Sequence, residues 1–232
     1  MKRRAFLLCA LASTATAPAS AQSARYELEN SLTERAKWRS FGNKDWITGD
    51  PIERARSGRP RIRTIELSQV GGNSPVARLK SLIALAEAGP KGYDAVHVGA
   101  KVKTPKRPTQ MTLGQILAWI KRTPGQPHAI GRYQFIPSTL RVLIGRAGLS
   151  GKTRFSPQVQ DRLADLLLAD AGLAQFEAGR MSRKRFMNRL ARIWAGLPTS
   201  SGKSYYDGYA GNRATLTRAF FDAKMREFFP RA

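Results

Sequence analysis

Cysteine is nearly absent: the 232-residue chain has one, Cys9. It falls in a segment that reads as a cleaved leader, so the mature chain is left without a disulfide, a thiol nucleophile or a thiolate-held metal. Leu8 stands where a lipid-anchored cysteine needs a small neighbour, which argues against an anchor there. Histidine is scarce too. His97 and His128 have no metal-ligand spacing, so neither a metal site nor another cofactor is expected. Acids are outnumbered, 16 Asp and Glu against 40 Lys and Arg, for a formal charge of +24. Beyond the leader no apolar run approaches the ~20 residues that a membrane-spanning helix needs.

The leader itself is clear. Lys2, Arg3 and Arg4 form a positive start, Ala5 to Ala17 is apolar, and Ala19-Ser20-Ala21 has the small-x-small form of a signal-peptidase site. Residues 1–21 are therefore expected to be removed, with Gln22 as the mature start and the periplasm as destination. Removing three cations from +24 leaves about +21. Such a field draws polyanions: nucleic acid, anionic lipid or an acidic cell wall. Export and the lack of any sequence-reading motif turn the reading away from nucleic acid. The hydrophobic share of 42% is enough for a packed core, so a folded protein is expected, and a monomer.

Residues 22–74 read as an irregular basic arm, broken by Gly49-Asp50-Pro51, Gly58-Arg59-Pro60 and Gly71-Gly72-Asn73. Trp38, Phe41 and Trp46 make it too apolar for a pure linker. Residues 75–232 read as one catalytic domain. Leu79, Leu82, Ile83 and Ala86 recur at helical spacing up to Gly89-Pro90. Further helices are predicted over Thr112–Lys121, Ser138–Ala147 and Pro157–Asp170, the last with Ser156 as cap and Gly172 as stop. Two more follow over Arg183–Ala195, capped by Ser182, and Arg213–Phe229. Tyr93–Val102 alternates enough for a short strand or hairpin. The predicted class is α+β, mostly helical. Trp119 and Trp194 are expected in the core.

Glu87 is the residue with chemical promise. It falls at the border of the apolar stripe and in the last turn of the first predicted helix. Partial desolvation and the negative end of the helix dipole both disfavour its charge, so its pKa is expected to rise. A glycosidase general acid needs that rise to hold its proton near neutral pH.

Four segments in order carry a resemblance. They are Ala86-Glu87-Ala88-Gly89 with Gly92-Tyr93-Asp94 and Val98-Gly99; Gly131-Arg132-Tyr133-Gln134-Phe135; Phe155-Ser156-Pro157 with Gln160-Asp161; and Ile193-Trp194-Ala195-Gly196-Leu197-Pro198 followed by Ser204-Tyr205-Tyr206. Together they resemble the phage lambda endolysin family, glycoside hydrolase family 104, over roughly residues 77–225. The resemblance implies a lysozyme-like, two-lobed domain with a central cleft. It also implies peptidoglycan glycan strands as substrate, cut at the β-1,4 bond between N-acetylmuramic acid and N-acetylglucosamine. The expected activity is that of a lytic transglycosylase, with Glu87 as acid and then base; a hydrolytic muramidase on the same scaffold is the alternative. A non-catalytic cationic wall-binding protein is a third reading.

By the same resemblance Tyr133, Gln134, Tyr205 and Tyr206 are candidate substrate-binding residues. For Gln134 the alternative is a plain turn with an aromatic anchor, and for the two tyrosines partial burial under their loop. Asp94 is the one sequence-near candidate for a second carboxylate, with turn capping as its other role. The loop Lys101–Gln110, rich in Lys and Pro, departs from the phage pattern.

Overall fold

The computed structural model describes residues 74–208 and 212–232. The leader, and the basic arm as far as residue 73, lie outside the described residues. The first helix, α1 (Pro75–Glu87), starts on the Ser74 hydroxyl, which accepts from Ala77 N, with proline in its first turn. A 3-10 segment, Gly89–Asp94, follows at once. A second short 3-10 turn, Pro108–Gln110, precedes α2 (Leu113–Arg122), whose start is a reciprocal box between Thr112 and Gln115. Then come α3 (Pro137–Arg146), α4 (Pro157–Ala171), α5 (Leu173–Glu177), α6 (Arg183–Ile193) and α7 (Arg218–Phe228).

The chain is mostly helical, as the sequence predicts, with a much smaller β part. No strand forms over 93–102. Among the described residues only isolated antiparallel bridges occur, including Val96 with Ile130 and Ile130 with Phe135. The reason is local. His97 N reaches Ala129 O, but the next residues turn, with Gly99 N bonded to His97 Nδ1 and Ala100 N to His97 O. The ladder ends after one rung. The last helix also starts later than periodicity suggests, because Thr217 caps it and Thr215 N bonds Gly196 O instead. The short α5, which periodicity did not predict, follows the left-handed Gly172 that closes α4.

Helix α4 is the hub, touching α3, α5 and α6; α1 packs on α7, and the two 3-10 turns pack on each other. One contiguous core runs from Leu79 to Phe229 and includes Trp119 and Trp194, at 2% and 1% exposure. Among the described residues no helix is long and apolar enough to cross a membrane.

Candidate active site

Three segments distant in sequence meet at the end of α1. Glu87 is its last residue, and Oε1 accepts from Gly196 N at 2.8 Å. Gly196 lies just past α6, where the chain turns on the bond from Leu197 N to Trp194 O. Position 196 has no room for a side chain: a Cβ would collide with the Ala86 carbonyl oxygen. That carbonyl belongs to the last turn of α1 and has no partner within the helix. Thr215 supplies one, its hydroxyl lying 3.0 Å from Ala86 O and 3.2 Å from Gly196 O. Thr215 N also donates to Gly196 O at 2.9 Å. Helix end, glycine turn and Thr215 thus form one knot that fixes the carboxylate.

The electrostatics follow from that setting. Burial pushes the Glu87 carboxyl up from 4.5 to about 7, and the Gly196 N–H opposes the rise without cancelling it. Glu87 as a whole residue is half-buried, and a carboxyl held protonated near neutral pH is what a proton donor needs.

A second cluster holds the turn that leaves Glu87. Asp161, on α4, accepts from Tyr93 OH at 3.0 Å and from Tyr133 OH at 2.5 Å. Its neighbour Gln160 donates to Tyr93 O at 3.0 Å and accepts from Arg132 N at 2.8 Å. The Arg132 guanidinium lies 4.8 Å from the Tyr93 ring centre. Both tyrosyl hydroxyls are held above their usual pKa, by burial first and by Asp161 second in importance for Tyr93. They remain neutral donors.

The candidate substrate residues separate on this framework. Tyr133 is 2% exposed, with its hydroxyl on Asp161, so it braces its turn against α4 from within the core. Gln134 is partly exposed and is the one non-glycine residue with positive φ among the described residues, at 46°. Its Nε2 donates to Gly131 O at 2.9 Å, and the Ile130–Phe135 backbone pair closes the turn around it. A left-handed glutamine costs about 1 kcal/mol and persists only where its surroundings over-determine it. Tyr205 is 52% exposed, with the Arg192 guanidinium 5.2 Å from its ring centre. Tyr206 stands edge-on to it and its hydroxyl donates to Arg192 O. Their loop is tied beside the knot, because Ser204 Oγ donates to Ala195 O at 2.7 Å.

Asp94 caps a loop. Its Oδ1 accepts from both Thr109 N, at 2.9 Å, and Thr109 Oγ1, at 2.7 Å. His97 is kept neutral, since burial, with Lys103 and His128 nearby, lowers it to about 4. His128 pairs with Thr123 at 2.8 Å and meets the Trp119 ring edge-on.

Sequence reasoning missed the supporting residues. Gly196 reads as a helix stop, although it is also the donor to Glu87. Thr215 carries no signal in the sequence, and Gln160 and Asp161 belong to a matching segment that does not reveal their partners.

The family model described as Endolysin matches residues 81–224, more than half of the chain, and spans both clusters. The chain matches no curated protein and no solved structure. A matching segment that runs from within α1 through most of α7, and includes Glu87 with its glycine donor, makes this chain a member of the endolysin family, whose enzymes lyse peptidoglycan.

Proposed function

We propose that the chain is an exported lytic transglycosylase of the family 104 type, with Glu87 as its single acid and base. The observation that carries this reading is the Glu87 carboxyl, pushed up to about 7 by burial and held by one backbone N–H. In that state it protonates the glycosidic oxygen as the bond to muramyl C1 breaks. The resulting carboxylate then takes the proton of the muramyl C6 hydroxyl while O6 bonds to C1, giving a 1,6-anhydro end and a regenerated acid. The attack is intramolecular, where effective molarities reach the order of 10⁵ M, so no second carboxylate is needed to activate water. The geometry of Asp94 suits this reading, since its Oδ1 is engaged by Thr109. Tyr205 supplies the exposed ring on which a sugar can stack, and Gln134 the strained turn at the cleft wall.

The test uses the mature protein recovered from the periplasm, with its N-terminus expected at Gln22. Murein digested with it should carry 1,6-anhydromuramic ends and no heavy oxygen from labelled water. Glu87→Gln should lower the rate by roughly 10²–10⁴-fold or more while the fold is kept. Asp94→Asn, which preserves an Oδ1 acceptor for Thr109, should change it only modestly. Labelled reducing ends together with an inactive, folded Asp94→Asn protein would replace this reading by a two-carboxylate muramidase.

A further inference from the structure

A basic depression opens beside the turn that leaves Glu87, and the site described above makes no use of it. Its cavity volume is about 380 Å³, and its lining includes the cations Lys91, Lys103, Lys106 and Arg107 together with Asp94 and Val96. Pockets of this size sit at the small end of the ligand range, enough for one or two amino-acid residues and too small for a glycan strand. Among the described residues no carboxylate forms an ion pair with any of these four cations; the ion pairs lie elsewhere, on Asp161, Asp165, Asp170, Asp207, Asp222 and Glu227. Asp94, whose Oδ1 accepts from Thr109, offsets one of the four positive charges and leaves a surplus of three. Lys103 is fixed, donating to His97 O and Val98 O, both at 3.0 Å. Its pKa is lowered by desolvation first and by the Lys91 ammonium second. Lys91 and Lys103 therefore repel one another across an opening that Lys106 and Arg107 also line, an arrangement that an oxyanion relieves.

Position decides which oxyanion. Lys91 follows Glu87 by four residues, so their Cα atoms lie at most about 14 Å apart. The turn between them is a 3-10 segment, which shortens the distance further. In peptidoglycan the peptide stem hangs from the C3 lactyl ether of the muramic acid, the same sugar whose C1 would be cut here. A stem of two or three residues reaches about 7–11 Å beyond the lactyl group and carries free carboxylates. We propose that this depression binds the stem-peptide carboxylates of peptidoglycan, so that the enzyme selects peptide-bearing strands over bare glycan. The inference rests on peptidoglycan being the substrate and on Glu87 marking the cleavage point.

A binding measurement tests it without turnover. The probe is the disaccharide N-acetylglucosaminyl-N-acetylmuramic acid carrying a tripeptide stem, which lacks the scissile linkage, compared with the same disaccharide without a stem. Titration into the full mature chain should show the stem-bearing probe binding more tightly. The double variant Lys106→Gln/Arg107→Gln, at two exposed positions, should weaken it by about tenfold to hundredfold, and should leave the bare disaccharide unchanged. The double variant Arg180→Gln/Lys184→Gln removes the same charge from another exposed surface and should leave both probes unchanged. Equal weakening by the two double variants would reduce the effect to bulk charge and overturn the proposal. So would no weakening by either, or displacement of the stem probe by an equal concentration of inorganic phosphate. Stem-selective binding by a protein whose digests lack anhydro ends would instead count against the transglycosylase reading alone.

Discussion

Glu87 shows how a single residue's surroundings set its chemistry. Its folded pKa of about 7 lies above the ordinary 4.5, so the folded state holds the proton more tightly than the unfolded chain. The stability this lends is complete below the ordinary value and is lost as pH rises through about 7. Glu87→Gln keeps an Oε1 acceptor for Gly196 N but cannot ionise. The variant should therefore gain on the wild type above neutrality, by on the order of 1–3 kcal/mol. Urea unfolding of both proteins at pH 5 and pH 8 reads this directly. A stability difference that does not change with pH would mean the carboxyl is not desolvated. Catalysis should follow the same proton: the rate should decline above pH 7 as the acid form is titrated away.

At the scale of elements, the fold places one helix end against one turn. Thr215 satisfies the Ala86 carbonyl and the Gly196 carbonyl, and Gly196 can approach only because it lacks a side chain. Thr215→Val keeps the shape but removes the donor, and should cost about 1 kcal/mol, with a loss of activity larger than so small a destabilisation explains. Gly196→Ala should be worse on both counts, since its Cβ meets backbone that cannot step aside. Thermal unfolding and murein clearing measured on the same preparations separate the two effects. A Thr215→Val protein with wild-type activity would show that the knot does not set the position of Glu87. The Asp161 cluster does the corresponding work for the turn that leaves Glu87, tying Tyr93 and the Tyr133 turn to α4 through one phenolic donor each.

For the molecule as a whole, the surplus of cations is the dominant physical fact. Most described acids are already engaged in ion pairs, so the excess positive charge faces outward. Exposed pairs of this kind add little to stability, but the unpaired field acts on whatever anionic surface the protein meets. Association with murein sacculi should therefore weaken as ionic strength rises through about 0.1 M, where the Debye length is about 10 Å. Cleavage of short glycan fragments, which carry few charges, should change much less. Sedimentation with sacculi and a fragment assay across one salt series provide the comparison, and equal sensitivity of the two would remove charge from recruitment.

The sequence alone determined what depends on near neighbours. The Thr112, Ser156 and Ser182 hydroxyls each accept from a backbone N–H three residues on, and Gly172 takes the left-handed conformation that ends α4. These signals act within one turn, which is why these helix boundaries were legible and why Glu87 stood out at the edge of its stripe. The tertiary structure decided everything that crosses the chain. Glu87 meets its donor 109 residues away, and Asp161 gathers hydroxyls 68 and 28 residues away. No local pattern encodes such pairings, because they depend on which faces the shared core brings together. The same packing buried Tyr133, stopped the expected strand at His97 and delayed α7 until Thr217. Alternation and periodicity report what a segment prefers; contact with the rest of the chain decides which backbone groups remain free to follow that preference.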